Sequence, residues 1–297
     1  MTIPKFPLLW AVALIFTSPL MAKNQGDKIL MTIKSPGLYQ DGAEVRPWFR
    51  KTLRLSRQKQ QRFHVLDSQY GKKMHYKGVR ILDLLKVASS RRGADTVLLH
   101  FKNGMLIPVV LRSLERHPDK LLVVTRVRSG KSWSTRFPKV AKKNPYLRDP
   151  RPLTFQGNKV VASDPAALLP RGSEINPFRY GDSLVGLELV VDQAWGAQFA
   201  GASRLRKGLT VFQNRCRFCH GVRSAGADYG WDFVDPLPLW KKRDAQSLLF
   251  HVQLQKNAAL ESGLMMPQQK DMTPGESKAI WLWMKDLERR SLKSYRP

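Results

Sequence analysis

The stretch SRLRKGLTVFQNRCRFCH, residues 203–220, decides the organisation of the last third of the chain. Its apolar residues recur at helical spacing over 204–214, which predicts a helix that leads directly into a pair of cysteines. The pattern stays helical beyond this point. We therefore expect residues 203–297 to form an all-α domain, as the second part of a multidomain chain.

Two more helices are expected in this C-terminal part, over 244–256 and 273–290. The start of the last helix carries three agreeing signals. Thr273 can cap the helix, Pro274 suits the first helical position, and Glu276 stands where a capping box requires it.

The cysteine pair belongs to a C-x-x-C-H motif formed by Cys216, Cys219 and His220. One helical turn places both sulfur atoms where they can form thioethers with the two vinyl groups of a haem. The next residue, His220, can then bind the iron through a ring nitrogen. Because both cysteines of the chain lie in the motif, the sequence predicts one covalently attached haem c.

Two other chemistries also use paired cysteines. A zinc site would need further Cys or His ligands at suitable spacing, and the sequence shows none. A redox dithiol usually lies between a strand and a helix of a thioredoxin-like fold. Here a helix precedes the pair, which favours haem attachment.

Residues 203–290 resemble a small class I cytochrome c domain. The features that carry the resemblance are Gly208, Phe212, Cys216, Cys219, His220, Met266, Pro267 and the Thr-Pro-Gly-Glu sequence at 273–276. In that family the first and last helices cross at close range. The resemblance implies that Gly208 permits this approach and that Phe212 packs against Trp281 or Trp283. It also implies a loop carbonyl, with Pro236 as the candidate, that orients the haem-binding histidine.

The same resemblance assigns the second axial ligand of the haem iron to Met266, which precedes Pro267. A thioether sulfur favours ferrous iron and raises the reduction potential. Met265 is the immediate competitor, and His251 is the other candidate in this half of the chain. The sequence alone leaves Met265 and His251 open as alternatives.

Residues 1–22 are typical of an export signal. Lys5 provides a short positive start, the apolar run PLLWAVALIF occupies 7–16, and Ala22 offers a small residue for cleavage. The run is shorter than the roughly 20 apolar residues that cross a bilayer. We therefore expect a periplasmic or otherwise exported protein that is soluble after cleavage.

The chain is strongly basic, with a formal net charge of +28. The first 200 residues hold 34 of the 51 Lys and Arg residues and 14 of the 23 acidic residues, so most of the excess lies there. A charge of this size attracts acidic partners and makes their encounter sensitive to salt. For an exported haem protein we expect an acidic redox partner protein, with an anionic membrane surface as a further contact, and no nucleic acid.

An α+β domain with a mixed sheet is expected over 27–193. The candidate strands are 28–35, 48–55, 62–66, 121–127 and 184–191, and the candidate helices are 79–87 and 111–117. The strongest local signal is Asn103-Gly104, which predicts a hairpin between the runs 97–102 and 105–110. Residues 128–175 predict a long loop, and residues 196–202 a linker.

The rhythm of this domain resembles the molybdopterin-binding domain of the sulfite oxidase family. The resemblance rests on YKGV at 76–79, LDLL at 82–85, the 97–110 hairpin and LVGLELV at 184–190. That family holds molybdenum through a cysteine thiolate, and this domain has no cysteine. We therefore do not expect a working molybdopterin centre, and predict a degenerate domain that serves as a scaffold or docking module.

Together these patterns favour a monohaem electron carrier over a stand-alone enzyme. The alternative is a haem-containing oxidoreductase, or a subunit of one, with substrate chemistry in the N-terminal domain. His64, His75, His100 and His117 are scattered through that domain without metal-ligand spacing. A haem-based sensor, which would need an exchangeable sixth ligand, is a third hypothesis.

Overall fold

The computed structural model describes residues 30–34, 39–40, 43–44, 50–67, 70–87, 94–138, 158–170, 176–179, 181–191, 196, 199, 201–223, 225–234, 237–254 and 269–294. The predicted export signal and the candidate residues Pro236, Met265, Met266 and Pro267 lie outside these ranges.

The strands of the described residues are β1 Leu30–Lys34, β2 Tyr39–Gln40, β3 Ala43–Glu44, β4 Arg50–Arg54, β5 Gln61–Asp67, β6 Lys72–Arg80, β7 Thr96–Phe101, β8 Leu106–Val110, β9 Leu121–Ser129, β10 Ser132–Ser134, β11 Lys159–Ala162, β12 Leu184–Val190, β13 Gly221–Val222 and β14 Ala225–Gly226. The α-helices are α1 Ile81–Val87, α2 Leu111–Arg116, α3 Pro165–Leu168, α4 Arg206–Arg215, α5 Leu239–Lys242, α6 Ala245–Leu254 and α7 Pro274–Ser294.

The first sheet has the strand order β4-β1-β12-β7-β8. β1 runs parallel to β12, and the other neighbours are antiparallel, so the sheet is mixed as expected. The β7–β8 hairpin confirms the prediction made from Asn103-Gly104. Gly104 takes a φ of +87° at this turn, a conformation that favours glycine.

The second sheet has the order β10-β9-β6-β5, and β11 also pairs with β9. The prediction of a long loop over 128–175 is therefore wrong in part, because β10, β11 and α3 lie within it. All four residues of β11 are buried. A strand this short, buried on both faces, gives no alternation of polar and apolar residues for a sequence pattern to detect.

The N-terminal core lies between the two sheets. Buried side chains of β7, β8 and β12 pack with those of β9, β11 and α1 in one apolar cluster. A smaller cluster, which includes Met74, Tyr76, Leu122 and Val124, covers the opposite face of the second sheet. Both faces of β9 are therefore buried along its first half.

The prediction of an all-α C-terminal domain is wrong. Among the described residues only α7, with 21 residues, is a long helix; α4 and α6 have 10 residues each. A small antiparallel β13–β14 hairpin follows directly after His220. It turns through Arg223, whose φ of +53° is rare outside glycine. A two-residue strand carries no periodicity, so the helical pattern on either side of it concealed the hairpin.

Helices α4 and α7 cross at close range, as the resemblance to the cytochrome c domain implied. A Cβ atom on Gly208 would lie 2.3 Å from the Ala279 carbonyl oxygen and 2.5 Å from Trp283 Cβ. The Phe212 ring packs against Trp283, with their centroids 5.2 Å apart. Only glycine therefore permits this crossing.

The capping box of α7 is also confirmed. The Thr273 amide donates to Glu276 Oε2 at 2.8 Å, and the Glu276 amide donates to Thr273 Oγ1 at 3.2 Å. Arg215, at the end of α4, reaches Glu276 at 3.3 Å and so ties the two helices together. None of the helices in the described ranges is both long and apolar enough to cross a bilayer.

The segment predicted as a linker belongs to the C-terminal core at Phe199. Its side chain is buried in the same cluster as Phe212 and Trp283. Its carbonyl accepts a hydrogen bond from Trp283 Nε1 at 2.7 Å. The small residues on either side of Phe199 predicted an exposed linker. The burial of the Phe199 ring makes this part of the segment belong to the core instead.

Candidate haem-attachment site

The C-x-x-C-H motif forms a tight turn that leaves the end of α4. The Cys216 amide donates to the Phe212 carbonyl at 2.8 Å, and the amides of Cys219 and His220 donate to the Cys216 carbonyl at 3.1 and 3.0 Å. Cys216 is buried and Cys219 is half-buried, both as thiols. The motif is therefore wound into one compact turn, as its spacing requires.

Burial raises the pKa of both thiols, Cys216 and Cys219, to about 12. The neighbouring Cys219 raises the pKa of Cys216 further, whereas Arg215 opposes the shift. Catalytic dithiols and thiolate metal ligands have lowered pKa values. This pair therefore lacks the electrostatic environment of a redox dithiol.

His220 is oriented by a backbone carbonyl. Its Nδ1 lies 2.7 Å from the carbonyl oxygen of Trp231, so Nδ1–H donates this bond and Nε2 keeps its lone pair. Burial lowers the pKa of His220, against the opposing effects of the Trp231 carbonyl and Asp232. A neutral imidazole with a fixed tautomer is the form that binds iron.

The carbonyl that orients His220 was sought at Pro236, and the structure gives this role to Trp231. Pro236 lies outside the described residues. Because any residue has a carbonyl, no side-chain pattern could identify Trp231. The only sequence signal near Trp231 is a pair of glycines, Gly226 and Gly230, which are typical of a loop.

Gly230 makes room for the imidazole of His220. A Cβ atom at Gly230 would lie 2.5 Å from His220 Cε1, and the Gly230 amide donates to the Cys219 carbonyl at 2.7 Å. On another side the Phe233 ring lies 5.0 Å from the His220 ring and 5.0 Å from Phe212. The His220 ring thus lies between the Gly230 loop and the ring of Phe233, which in turn packs against Phe212 on α4.

The C-x-x-C-H motif contacts the β7–β8 hairpin of the N-terminal domain. Phe218, between the two cysteines, is 1% exposed and belongs to the N-terminal apolar core. Its carbonyl accepts from the Leu106 amide at 3.1 Å, and the Asp228 amide donates to the Gly104 carbonyl at 3.0 Å. Sequence reasoning missed this contact, because a single apolar residue between two cysteines forms no periodic pattern that would place it in a core.

One candidate for the second axial ligand, His251, lies on α6. His251 is half-buried, and the pKa of its imidazole is lowered by burial, by Arg243 and by His220. His251 thus lies close enough to His220 to respond to its charge. Met266 and Met265 lie outside the described residues.

Gln269, where the described chain resumes, lies against the residue that precedes the C-x-x-C-H motif. The Gln269 amide donates to the Val252 carbonyl at 2.9 Å, and Gln269 Nε2 donates to the Arg215 carbonyl at 3.4 Å. Arg215 immediately precedes Cys216. Gln269, three residues after Met266 in the sequence, is therefore hydrogen-bonded to the residue that precedes the motif.

The residues present fit a c-type haem. Two adjacent thiols, a histidine with a free Nε2 and the space that Gly230 leaves around its ring form the donor set that such a haem requires. Within the described ranges, no group of three or more His, Cys, Asp or Glu side chains could hold a metal ion on its own.

Comparisons with known proteins add no assignment to this geometry. A scan against models of protein families found no matching family. A search of curated proteins also found no match.

Proposed function

We propose that this protein is a monohaem c-type cytochrome that transfers single electrons. Cys216 and Cys219 would hold the haem as thioethers, and His220 would bind its iron through Nε2. The single observation that carries the proposal is the hydrogen bond from His220 Nδ1 to the Trp231 carbonyl, beside the buried Cys216 and the half-buried Cys219. When bound, the haem supplies the one-electron couple of its iron.

The protein residues around His220 set the conditions for this couple. The Trp231 carbonyl and the Gly230 loop hold the ring in one orientation, and Phe233 with Phe212 excludes water from one side of it. Such fixed surroundings keep the ligand geometry similar in both oxidation states, which suits electron transfer. Two further expectations belong to the same proposal: export to the periplasm, from the signal pattern at residues 1–22, and an acidic redox partner, from the net charge of +28.

The first test measures haem in purified full-length protein, made in a host with cytochrome c maturation. The haem should stay with the denatured chain, and a pyridine haemochrome spectrum should indicate two thioether bonds. Cys216→Ala with Cys219→Ala should abolish covalent haem, because no other cysteine exists. Haem that is extracted fully by acidic acetone from the unchanged protein would contradict the proposal.

Metal analysis of the same samples separates the electron carrier from the enzyme hypothesis. We expect about one iron per chain and no stoichiometric molybdenum, because molybdenum in the sulfite oxidase family needs a cysteine thiolate. Molybdenum with an extractable pterin would instead favour a haem-containing oxidoreductase with substrate chemistry in the N-terminal domain.

The second test concerns the other axial ligand, for which we propose Met266. The oxidised protein should show the weak near-infrared sulfur-to-iron band. Met266→Ala should remove this band and lower the reduction potential, because a soft neutral thioether favours ferrous iron. Met265→Ala is the matched control and should keep the band.

Three other outcomes would change the assignment. If Met265→Ala removes the band and Met266→Ala keeps it, Met265 is the ligand. If neither variant affects the spectrum and His251→Ala does, the ligand is His251. Rapid binding of carbon monoxide by the unchanged protein would favour the sensor hypothesis instead.

A further inference from the structure

The outer part of the second sheet carries basic side chains on one face. On β6, Met74 and Tyr76 are buried, whereas the alternate residues Lys73 and His75 are exposed and Lys77 is half-buried. Successive side chains of a strand point to opposite faces, so these three share one face. Val79, further along this face, is buried in the N-terminal core. The same face of β6 therefore packs in the core at Val79 and carries basic side chains at Lys73, His75 and Lys77.

Two rows of side chains cross the strands on this face. In the first row Arg62 on β5 pairs with Lys77 on β6, and Lys77 pairs with Arg126 on β9. Directly opposed residues of antiparallel strands have Cβ atoms about 5 Å apart, and like charges at this distance destabilise a sheet. No carboxylate of the described residues forms a salt bridge with Arg62, Lys77 or Arg126.

The second row contains a stacked pair of imidazoles. His64 on β5 pairs with His75 on β6, and their rings lie 3.9 Å apart at an angle of 7°. Arg128 on β9 pairs with Trp133 on β10. A positive charge on His75 would be repelled by the neighbouring Arg128 guanidinium, so this row favours the neutral form of the His75 imidazole while no anion is bound.

A groove of about 350 Å³ opens on the same face. It is lined by Arg62, His64, His75, Arg128, Lys131 and Trp133, and the described part of the chain contributes no acidic side chain to it. Lys77 Nζ lies 4.7 Å from the centre of the Trp133 ring, which orients the lysine along the rim. The groove is therefore a basic recess whose lining also includes the aromatic residues Phe63 and Trp133.

We propose that this cationic face, formed by Arg62, His64, His75, Lys77, Arg126, Arg128 and Lys131, binds an acidic polypeptide segment of the redox partner. That the partner is a redox protein rests on the function proposed above; the binding chemistry does not. Guanidinium groups bind carboxylates through two parallel hydrogen bonds. A recess accepts a protruding acidic segment, whereas a flat lipid surface would contact only its rim, which is why we favour a protein.

The histidine pair links this binding to pH. The pKa of His75 is lowered by desolvation, by His64 and by Arg128. Arg62 on β5, Lys73 and Lys77 on β6, Arg126 on β9 and Lys131 in the β9–β10 turn add positive charge to the same face. A bound carboxylate raises the pKa of a neighbouring imidazole. The complex then binds more protons than the separated partners, so affinity should rise as the pH falls through the raised pKa.

The test uses the full-length protein and fluorescently labelled poly-L-glutamate as the probe, with affinity measured by anisotropy at physiological ionic strength. The variant Arg62→Gln/Lys77→Gln/Arg126→Gln should bind about tenfold more weakly, because three contributing ion pairs are lost. The control Arg112→Gln/Arg116→Gln/Lys278→Gln removes the same charge from exposed positions on α2 and α7. It should change the affinity by less than about twofold.

The double variant His64→Gln/His75→Gln should keep its affinity at pH 8 and lose the increase between pH 8 and pH 6. Equal losses in the two triple variants would overturn the proposal in favour of general charge attraction. Stronger binding to phosphatidylglycerol vesicles or to a single-stranded oligonucleotide than to poly-L-glutamate, with the same dependence on the cationic face, would also overturn it. Covalent haem, measured on the same samples, tests the proposed function separately. If haem is present but the two triple variants bind poly-L-glutamate equally, only the proposed role of the cationic face is overturned.

Discussion

Asp67→Ala is expected to lower the free energy of unfolding by about 3–5 kcal/mol, because it leaves a buried ammonium without this carboxylate. Asp67 and Lys159 form a salt bridge in which both side chains are almost fully buried. The Tyr76 hydroxyl donates to the same carboxylate at 2.6 Å. Burial already lowers the pKa of Lys159 although Asp67 opposes the shift. Urea unfolding followed by tryptophan fluorescence measures the loss.

Asp83→Ala is the matched control for this prediction. Asp83 pairs with Arg80 at 2.6 Å, but their side chains are 26% and 28% exposed. A partly exposed pair of this kind contributes at most about 1 kcal/mol. Asp67→Leu with Lys159→Met should recover most of the stability, since no charge is then buried. If Asp67→Ala costs no more than Asp83→Ala, the buried pair contributes nothing beyond a surface contact.

Phe218→Ala is expected to cost about 3–5 kcal/mol and to destabilise both halves of the chain together. Phe218 lies between Cys216 and Cys219, yet it is 1% exposed within the N-terminal core. Its removal opens a cavity at the junction between the motif and the β7–β8 hairpin. Urea unfolding, followed by tryptophan fluorescence and by haem absorbance in parallel, should give the same lowered midpoint with both signals.

Phe250→Ala serves as the control, because the same residue type on α6 is 50% exposed. It should change stability by less than about 0.5 kcal/mol. Two separate transitions in Phe218→Ala, with the fluorescence transition unshifted, would mean that the two halves unfold independently. The contact through Phe218 would then contribute nothing to the coupling between the two halves.

The local features of the fold were largely predictable, because each depends on residues close in sequence. Asn103-Gly104 identified its hairpin, and Thr273 with Glu276 identified the start of α7. The errors arose where tertiary contacts decide the structure. β11 exists because it pairs with β9, and Phe199 is buried because Trp283 lies above it.

The candidate site was predictable in its chemistry and less so in its surroundings. Cys216, Cys219 and His220 were identified by type and spacing alone. The Trp231 carbonyl could not be, since backbone atoms leave no mark on a sequence. The cationic face was visible only as an excess of charge, because the register that aligns Arg62, Lys77 and Arg126 depends on how three strands pair.

The insertion of Phe218 also has a consequence for the order in which the chain folds. The β7–β8 hairpin is synthesised long before residue 218, so the N-terminal core lacks one of its largest side chains until the C-terminal part arrives. Contacts between distant residues form slowly, and the parallel pairing of β1 with β12 adds a second such closure. Cys219, which packs in part against the same core, therefore stays accessible until this late docking step. For the cytochrome proposed above, the rate of that step would limit the time in which a haem-attaching enzyme can reach this thiol.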